Sequence, residues 1–226
     1  MWQPWNAGPV SATLAAMFLA LALTAGMGRF ARTVQRRLAL HGETAALPDA
    51  RRTNVSLCVL AVVFAGVCVW AFGATPAALA AIVFIVVLLT LARVDAETGL
   101  LPDLLTQPLL WLGLLVNLNG TFVMLQHAVL GAVAGYLILW VVFRLFLLFT
   151  GREGMGHGDF KLLAAIGAWL GWAALPWVLL ASSSLALAAA VLLRLRGRMA
   201  PGDALSFGRY LAAAGILALF GVFAMP

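Results

Sequence analysis

Long apolar stretches separated by short polar ones run along the whole chain. A helix that spans a bilayer needs about 20 mostly apolar residues. Candidate spans of roughly this length occur at 10–28, 56–72, 77–93, 105–122, 124–149, 160–173, 175–193 and 207–225. The fourth and sixth are short or interrupted. The pattern predicts an all-α, polytopic integral membrane bundle of about eight transmembrane helices, with seven or six crossings as alternatives.

Composition agrees with a membrane fold. Of the 226 residues, 64% are hydrophobic and only 10% are charged. A soluble domain of this size would carry a much larger charged exterior, so hydrocarbon must be part of the solvent. The net charge of +6 therefore points to basic cytoplasmic loops, and we expect no nucleic-acid partner.

The distribution of charge predicts the orientation. With eight crossings and the N-terminus outside, the C-terminus is also outside, and the cytoplasmic side receives residues 29–55, 93–106, 150–160 and 194–206. Thirteen of the 14 Lys and Arg residues, and all eight acidic ones, lie in or beside these segments. The exception, Arg144, lies inside the fifth span and can extend its side chain towards the interface. The other side carries the tryptophans of an aromatic belt, Trp2, Trp5, Trp70, Trp172 and Trp177.

Residues 29–55 form the longest polar stretch, and we predict a cytoplasmic loop with at most one short helix. This segment is too small for a core of its own. We therefore expect residues 1–226 to form a single membrane-embedded domain. No Lys or Arg precedes the first apolar run, whereas Arg29 and Arg32 follow it. That order is the reverse of a secretory signal and favours a retained helix.

The sequence offers no ligand set for a metal ion. Cys58 and Cys68 both lie inside an apolar run and are interpreted as small core residues. His41, His127 and His157 are scattered, and there is no Cys-x-x-Cys pair. We expect neither a metal site nor a cofactor.

Carboxylates are the informative residues in so apolar a chain, because an ionised Asp costs roughly 2.5–3.5 kcal/mol at the centre of a membrane helix. Asp95 directly follows the third apolar run, which places it at the inner end of a helix. Gly99 and Pro102 then interrupt the helix. Asp103 precedes the next apolar run, where its side chain can cap a helix. Glu97 is interpreted as a solvated loop residue.

A second polar cluster opens the sixth apolar run and reads Gly154-Met155-Gly156-His157-Gly158-Asp159-Phe160-Lys161. Its alternate glycines let the backbone approach a neighbouring helix or a bound peptide. Asp159 falls in the first helical turn, where the helix dipole favours its ionised form. A glycine-rich hinge with a capping Asp would give the same pattern. Lys161 either pairs with a substrate carboxylate or lies at the lipid headgroups.

The two clusters together suggest a catalytic pair. Asp95 and Asp159 are 64 residues apart, and both are predicted at inner helix ends on the same side. Two adjacent carboxyls share one proton, so the ionised member can activate water while the protonated one polarises a carbonyl. The alternative is a proton-coupled transporter, which predicts carboxylates near mid-membrane and two related halves. A third hypothesis is a non-catalytic assembly subunit.

The same clusters resemble the type IV prepilin peptidase family. The family's Asp, followed by Leu-Pro-Asp-x-Leu-Thr, is matched by Asp95 and by Leu101-Pro102-Asp103-Leu104-Leu105-Thr106. Its Gly-x-Gly-Asp-x-Lys is matched by Gly156-His157-Gly158-Asp159-Phe160-Lys161. Less closely, Phe207-Gly208-Arg209-Tyr210-Leu211 resembles another family segment.

The resemblance implies a multi-pass peptidase of the bacterial inner membrane, with both termini on the periplasmic side. Such an enzyme removes the short basic leader of type IV prepilins or type II secretion pseudopilins at the cytoplasmic face, cutting after a glycine. The family's catalytic pair corresponds to Asp95 and Asp159. The residues left to support the site are Asp103, Gly156, Gly158 and Lys161. The implied partners are the substrate helix and the lipid bilayer, and the oligomeric state is left open.

One departure from the family concerns methyl transfer. Many members carry a long cytoplasmic insert with two Cys-x-x-Cys pairs, and they also methylate the new N-terminus with S-adenosylmethionine. The corresponding segment here, 29–55, is short and has no cysteine. Peptidase activity is therefore expected, and methyltransferase activity is in doubt.

Overall fold

The computed structural model describes residues 9–40, 50–151, 156–198 and 205–224. In these ranges the regular structure is α-helical, apart from two short 3-10 turns. The helices are α1 (Pro9–Leu40), α2 (Ala50–Phe72), α3 (Pro76–Thr98), α4 (Asp103–Val116), α5 (Leu125–Thr150), α6 (His157–Leu170), α7 (Leu175–Leu195) and α8 (Gly208–Ala224). Each predicted span corresponds to one of them, which confirms the all-α class.

The helices differ in the length of their apolar portions. Pro76–Thr98, Leu125–Thr150 and Trp172–Leu195 are long and apolar enough to cross a membrane. Thr13–Gly26, Ser56–Phe72 and Gly208–Gly221 are shorter apolar stretches. α4 and α6 have 14 residues each, about 21 Å of helix at 1.5 Å per residue. The prediction that the fourth and sixth spans are short is confirmed, while the number of crossings and their orientation stay predictions.

Helices occupy much of the segment predicted as a loop. α1 continues to Leu40 and α2 begins at Ala50, so the only part between them is 41–49, outside the described residues. Residues 29–40 contain Ala, Leu, Arg and Gln but no Gly or Pro. These are good helix formers, so the helix continues beyond its apolar portion.

The chain divides into two compact units, residues 1–90 and 91–226. In the first unit α1 packs against α2. The buried side chains of this pair include Ala16, Ala20, Ala61 and Ala65. At Gly66 an added Cβ would lie 3.3 Å from Met17 Cε, so small residues set the spacing of the two helices. The single domain predicted for the whole chain stays a prediction.

α6 is the central helix of the second unit and packs against α4, α5 and α8. Every residue from Leu162 to Leu170 is buried. α5 buries a stripe of residues spaced three or four apart, namely Ala128, Gly131, Gly135, Leu139 and Phe143. Where α5 crosses α6, the backbones of Gly131 and Gly167 are so close that neither position has room for a Cβ. Small residues at this spacing are the usual means by which membrane helices approach.

Trp169 fixes α6 against α4. The indole is fully buried, and its Nε1 donates a hydrogen bond to the Leu109 carbonyl at 2.8 Å. A Cβ at Gly113 would collide with the same ring. The indole and the glycine therefore set the register of two short helices that each begin beside one of the motifs.

Asn117 joins the ends of α4 and α6 that lie away from the motifs. Its side chain is fully buried. Nδ2 donates to the carbonyls of Ala168 at 2.9 Å and Trp169 at 3.0 Å. Oδ1 accepts from the amides of Phe122 at 3.0 Å and Val123 at 3.2 Å. One amide thus satisfies four backbone groups that have few other partners at this depth.

The tryptophans predicted for an aromatic belt are exposed where they are described. Trp70, Trp172 and Trp177 are 87%, 50% and 64% exposed, and Trp2 and Trp5 lie outside the described residues. The Arg144 guanidinium lies over the Trp140 ring, 5.3 Å from its centroid. Both side chains are on the exposed surface of α5, which is compatible with an arginine extended along an aromatic ring.

Candidate active site

Asp95 lies in the last turn of α3. The helix ends at Thr98 because Gly99 adopts a left-handed φ of 67°, which only glycine takes readily. The Gly99 amide donates to the Asp95 carbonyl at 2.8 Å. The prediction that Asp95 marks the end of the third helix is confirmed. Its side chain is buried, with 3% exposed.

The Asp95 carboxylate is bound by the segment that leads into α8. The Arg209 backbone N–H donates to Oδ2 at 2.8 Å. The Ser206 hydroxyl also forms a hydrogen bond with Oδ2, and it lies 3.1 Å from the Asp95 carbonyl. These partners are more than 100 residues away along the chain, and the sequence pattern did not identify them.

Gly208 allows this approach. A Cβ at this position would lie 2.9 Å from Asp95 Cγ and 2.8 Å from Leu101 Cδ1, well inside the usual carbon contact of about 3.5–4.0 Å. Only a residue without a side chain fits at the start of α8 against Asp95 and Leu101. The weak family resemblance at Phe207–Leu211 was the one signal in the sequence that pointed to this glycine.

Asp159 lies in the first turn of α6, as predicted, and is 6% exposed. The extended Gly156 precedes the helix, and a Cβ at Gly158 would lie 2.7 Å from Leu101 Cβ. Burial, and secondarily the charge of Asp95, raises the pKa of Asp159 from 3.8 to about 7. Burial and the charge of Asp95 both favour the protonated form, whereas the prediction from the sequence was that the helix dipole would favour the ionised one.

Residues of both motifs line one cavity of about 800 Å³. Its lining includes all six residues singled out in the sequence, Asp95, Asp103, Gly156, Gly158, Asp159 and Lys161. The segment Leu205–Phe207 completes the wall. In the described part of the chain no group of three or more His, Cys, Asp or Glu side chains could hold a metal ion. The lining carries three carboxyl groups, an ammonium group, an imidazole and a hydroxyl.

Asp103 does not cap α4. It is the first residue of the helix, Pro102 occupies the N-cap position, and no side chain caps this end, so the capping interpretation is wrong. Both carboxylate oxygens instead accept hydrogen bonds from Lys161 Nζ, at 2.6 and 2.7 Å. The ion pair joins the first turns of α4 and α6.

The Lys161–Asp103 pair is partly exposed, by 33% and 52% of the side chains, so its contribution to stability is expected to be small. Lys161→Met, Asp103→Asn and the double variant form a double-mutant cycle. The coupling free energy should be roughly 0.2–1 kcal/mol, measured by unfolding in detergent. A coupling several times larger would mean that the pair is effectively shielded from solvent.

Glu97 is not a solvated loop residue, and this prediction is wrong. It belongs to α3, and its side chain is only 10% exposed. One carboxylate oxygen accepts a hydrogen bond from Arg93 Nε at 2.9 Å, across one helical turn. α3 extends beyond the apolar run that predicted it, so the charged residues after that run are helical and paired.

His157 was assigned no role in the sequence, yet it lines the cavity. Its ring packs 5.1 Å from that of Phe143 and 5.5 Å from that of Phe160, measured between centroids. The contact brings the start of α6 against α5 beside the cavity. No local pattern identifies it, because the partner comes from another helix.

Several known proteins are similar to this sequence. A model described as the Type IV leader peptidase family matches residues 82–193. A relative from Burkholderia pseudomallei (strain 1026b), named "Prepilin leader peptidase/N-methyltransferase", is 53% identical over 149 residues, which cover 66% of this chain and 48% of the relative. A protein of the same name from Pseudomonas aeruginosa is 47% identical over 184 residues, 80% of this chain and 63% of the relative.

A third relative with this name, from Dickeya chrysanthemi, is 53% identical over 133 residues, 59% of this chain and 47% of that protein. The chain thus spans about half the length of several of the curated relatives it matches. No solved structure matches it. The resemblance noted at the two motifs is confirmed over a much longer stretch of sequence.

Proposed function

From the premise that this chain belongs, through residues 82–193, to the type IV leader peptidase family, we propose that it is an intramembrane aspartic endopeptidase. Its substrates are type IV prepilins or type II secretion pseudopilins, whose basic leaders it removes at the cytoplasmic face of the inner membrane. The observation that carries this proposal is the pair of buried carboxyls, Asp95 and Asp159, on separate helices at one cavity.

The chemistry needs one proton on the pair. Two neighbouring carboxyls resist simultaneous ionisation, so one stays protonated near neutral pH. The ionised carboxylate takes a proton from water as its oxygen attacks the scissile carbonyl, and the protonated carboxyl hydrogen-bonds to the carbonyl oxygen. The amine leaves after protonation. No metal ion or covalent nucleophile is required.

The exposed apolar surface of this chain supports entry of the substrate from the bilayer. Outside its buried stripe, α5 exposes large apolar side chains such as Leu148 and Phe149, at 78% and 82%. A prepilin helix is itself apolar, so it can stay in hydrocarbon while its cleavage site reaches the cavity. The cavity retains polar groups that attract water.

Methyl transfer is not part of the proposal. The relatives' names include N-methyltransferase, but the segment between α1 and α2 in this chain has no cysteine. Mass analysis of the cleaved product, with S-adenosylmethionine added, tests this. We expect the mass of the unmodified new N-terminus, and a gain of one methyl group would assign both activities to this chain.

Leader removal in liposomes is the direct test. The purified chain, reconstituted with a prepilin, should release the leader by cleavage after a glycine, as read by the mass of the product. The matched control is the double variant Asp95→Asn/Asp159→Asn, in which both side chains keep their shape. Proton flux without any cleavage would instead support the transporter hypothesis.

The raised pKa of Asp159 predicts the pH dependence. Because the folded protein favours the protonated carboxyl, the shared proton is retained below about pH 7 and lost as the pH rises through that value. We expect kcat/KM to fall above about pH 7, measured as initial cleavage rates across the neutral range. Full recovery on return to lower pH excludes unfolding, and a rate that continues to rise with pH would contradict the shared proton.

A further inference from the structure

The geometry points to a fixed division of roles within the pair. We propose that the Ser206 hydroxyl and the Arg209 backbone N–H hold Asp95 as the ionised base, so that Asp159 is the protonated acid. This inference rests on the proposed function and deepens it. Ser206 becomes a positioning residue that acts on substrate only through Asp95.

The hydrogen bonds at Asp95 favour its charged form. A backbone N–H can only donate, and that of Arg209 donates to Oδ2 at 2.8 Å. The Ser206 hydroxyl is bonded to the same oxygen. Hydrogen bonds to a carboxylate stabilise its ionised state. Among the described residues, none donates to Oδ1, which leaves that oxygen as the acceptor for a proton from water.

Asp159 has the opposite surroundings. It is 6% exposed, and no side chain or backbone amide in the described part of the chain donates to its carboxyl. Burying an ionised carboxylate without donors is costly, so the group keeps its proton. Its raised pKa agrees with this state.

Two ion pairs neutralise four of the other charged groups near the pair, whereas Arg209 on α8 keeps its charge: among the described residues its buried Nε has no hydrogen-bond partner. Across the cavity, Asp103 is paired with Lys161. On α3 itself, Arg93 is paired with Glu97. On α8, the Arg209 guanidinium lies over the Tyr210 ring, 4.8 Å from its centroid. His157 is the remaining titratable group of the lining, and the experiment must separate its titration from that of the pair.

The assigned roles give a balanced reaction. Asp95 takes a proton from water as the new C–O bond forms, and Asp159 gives its proton to the carbonyl oxygen. The resulting gem-diol then collapses. Asp95 returns its proton to the amide nitrogen as the C–N bond breaks, and Asp159 recovers a proton from one hydroxyl. Peptide and water become acid and amine, and both side chains regain their starting states.

Ser206→Ala and Ser206→Thr test the role of the hydroxyl through the pH profile of kcat/KM. In Ser206→Ala the low-pH limb of the profile should shift to higher pH by about one unit, which lowers kcat/KM approximately tenfold at a given pH on that limb. The high-pH limb should stay in place. Ser206→Thr should restore the acid limb because it retains the hydroxyl. Repeating the profile in a His157→Asn background identifies any limb that belongs to the imidazole.

Infrared spectroscopy locates the proton without requiring cleavage. At a pH about one unit below the pKa of Asp159, the band of a protonated carboxyl should disappear in Asp159→Asn and persist in Asp95→Asn. A carboxyl band that persists in Asp159→Asn and disappears in Asp95→Asn would overturn the assignment. So would a Ser206→Ala profile of kcat/KM in which the high-pH limb shifts, or in which neither limb shifts. A wild-type chain without cleavage defeats the proposed function, and the infrared result still decides where the proton lies.

Discussion

Asp95→Asn and Asp159→Asn are each expected to lower the rate of leader cleavage by roughly 100- to 10,000-fold. Asparagine has nearly the shape of aspartate, so the cavity should keep its form while the side chain loses the ability to exchange a proton. Asp95→Asn removes the acceptor for the proton of water. Asp159→Asn replaces a group that carries a proton near neutral pH. The measurement is single-turnover cleavage of a prepilin in liposomes.

Asp103→Asn is the matched control for this loss. It changes a third carboxyl of the same cavity, which pairs with Lys161 at the partly exposed rim. Its activity should fall less than about tenfold, in proportion to a pair worth at most about 1 kcal/mol. Expression and membrane insertion should match the wild type in all three variants. Full activity in either Asn variant of the pair, or an equal loss in the control, would defeat the catalytic assignment.

Asn117→Ala is expected to cause a large loss of stability, although the residue lies outside the cavity. The change removes all four hydrogen bonds of the buried amide and leaves backbone groups unsatisfied. The expected cost is roughly 3 kcal/mol, or a melting temperature lower by about 6–12 °C for a chain of this size. Thermal unfolding in detergent measures it.

Asn119→Ala provides the control in the same turn. Asn119 is exposed and its side chain forms no hydrogen bond among the described residues. The melting temperature of the Asn119→Ala variant should therefore match that of the wild type within about 1–2 °C. Asn117→Asp should be destabilised like Asn117→Ala, because a carboxylate cannot donate to the two carbonyls of α6. A stable Asn117→Ala chain would show that the ends of α4 and α6 are held mainly by Trp169.

Sequence patterns were sufficient for the elements and singled out the two buried acids that line the cavity. Apolar runs predicted all eight helices, because a helix buried in hydrocarbon needs a continuous apolar stretch, and such a stretch can be read directly from the sequence. Their ends were less accurate. α1 and α3 run on into charged residues, since Arg, Gln and Glu sustain a helix as well as apolar residues do. Asp95 and Asp159 were identifiable because carboxylates are rare in so apolar a chain.

The partners of those acids depend on tertiary structure. Ser206 and Gly208 reach Asp95 only because α8 packs against α6 and its leading segment turns across the end of α3. The Lys161–Asp103 pair likewise joins two helix starts that are 58 residues apart.

What the sequence by itself determined are the helices, the class of fold and the two motifs that carry the acids. Tertiary structure decided which hydrogen bonds each carboxyl receives and which one is left without donors. Helix formation depends on neighbours three or four residues away, whereas the environment of a buried carboxyl depends on side chains that packing brings from distant parts of the chain.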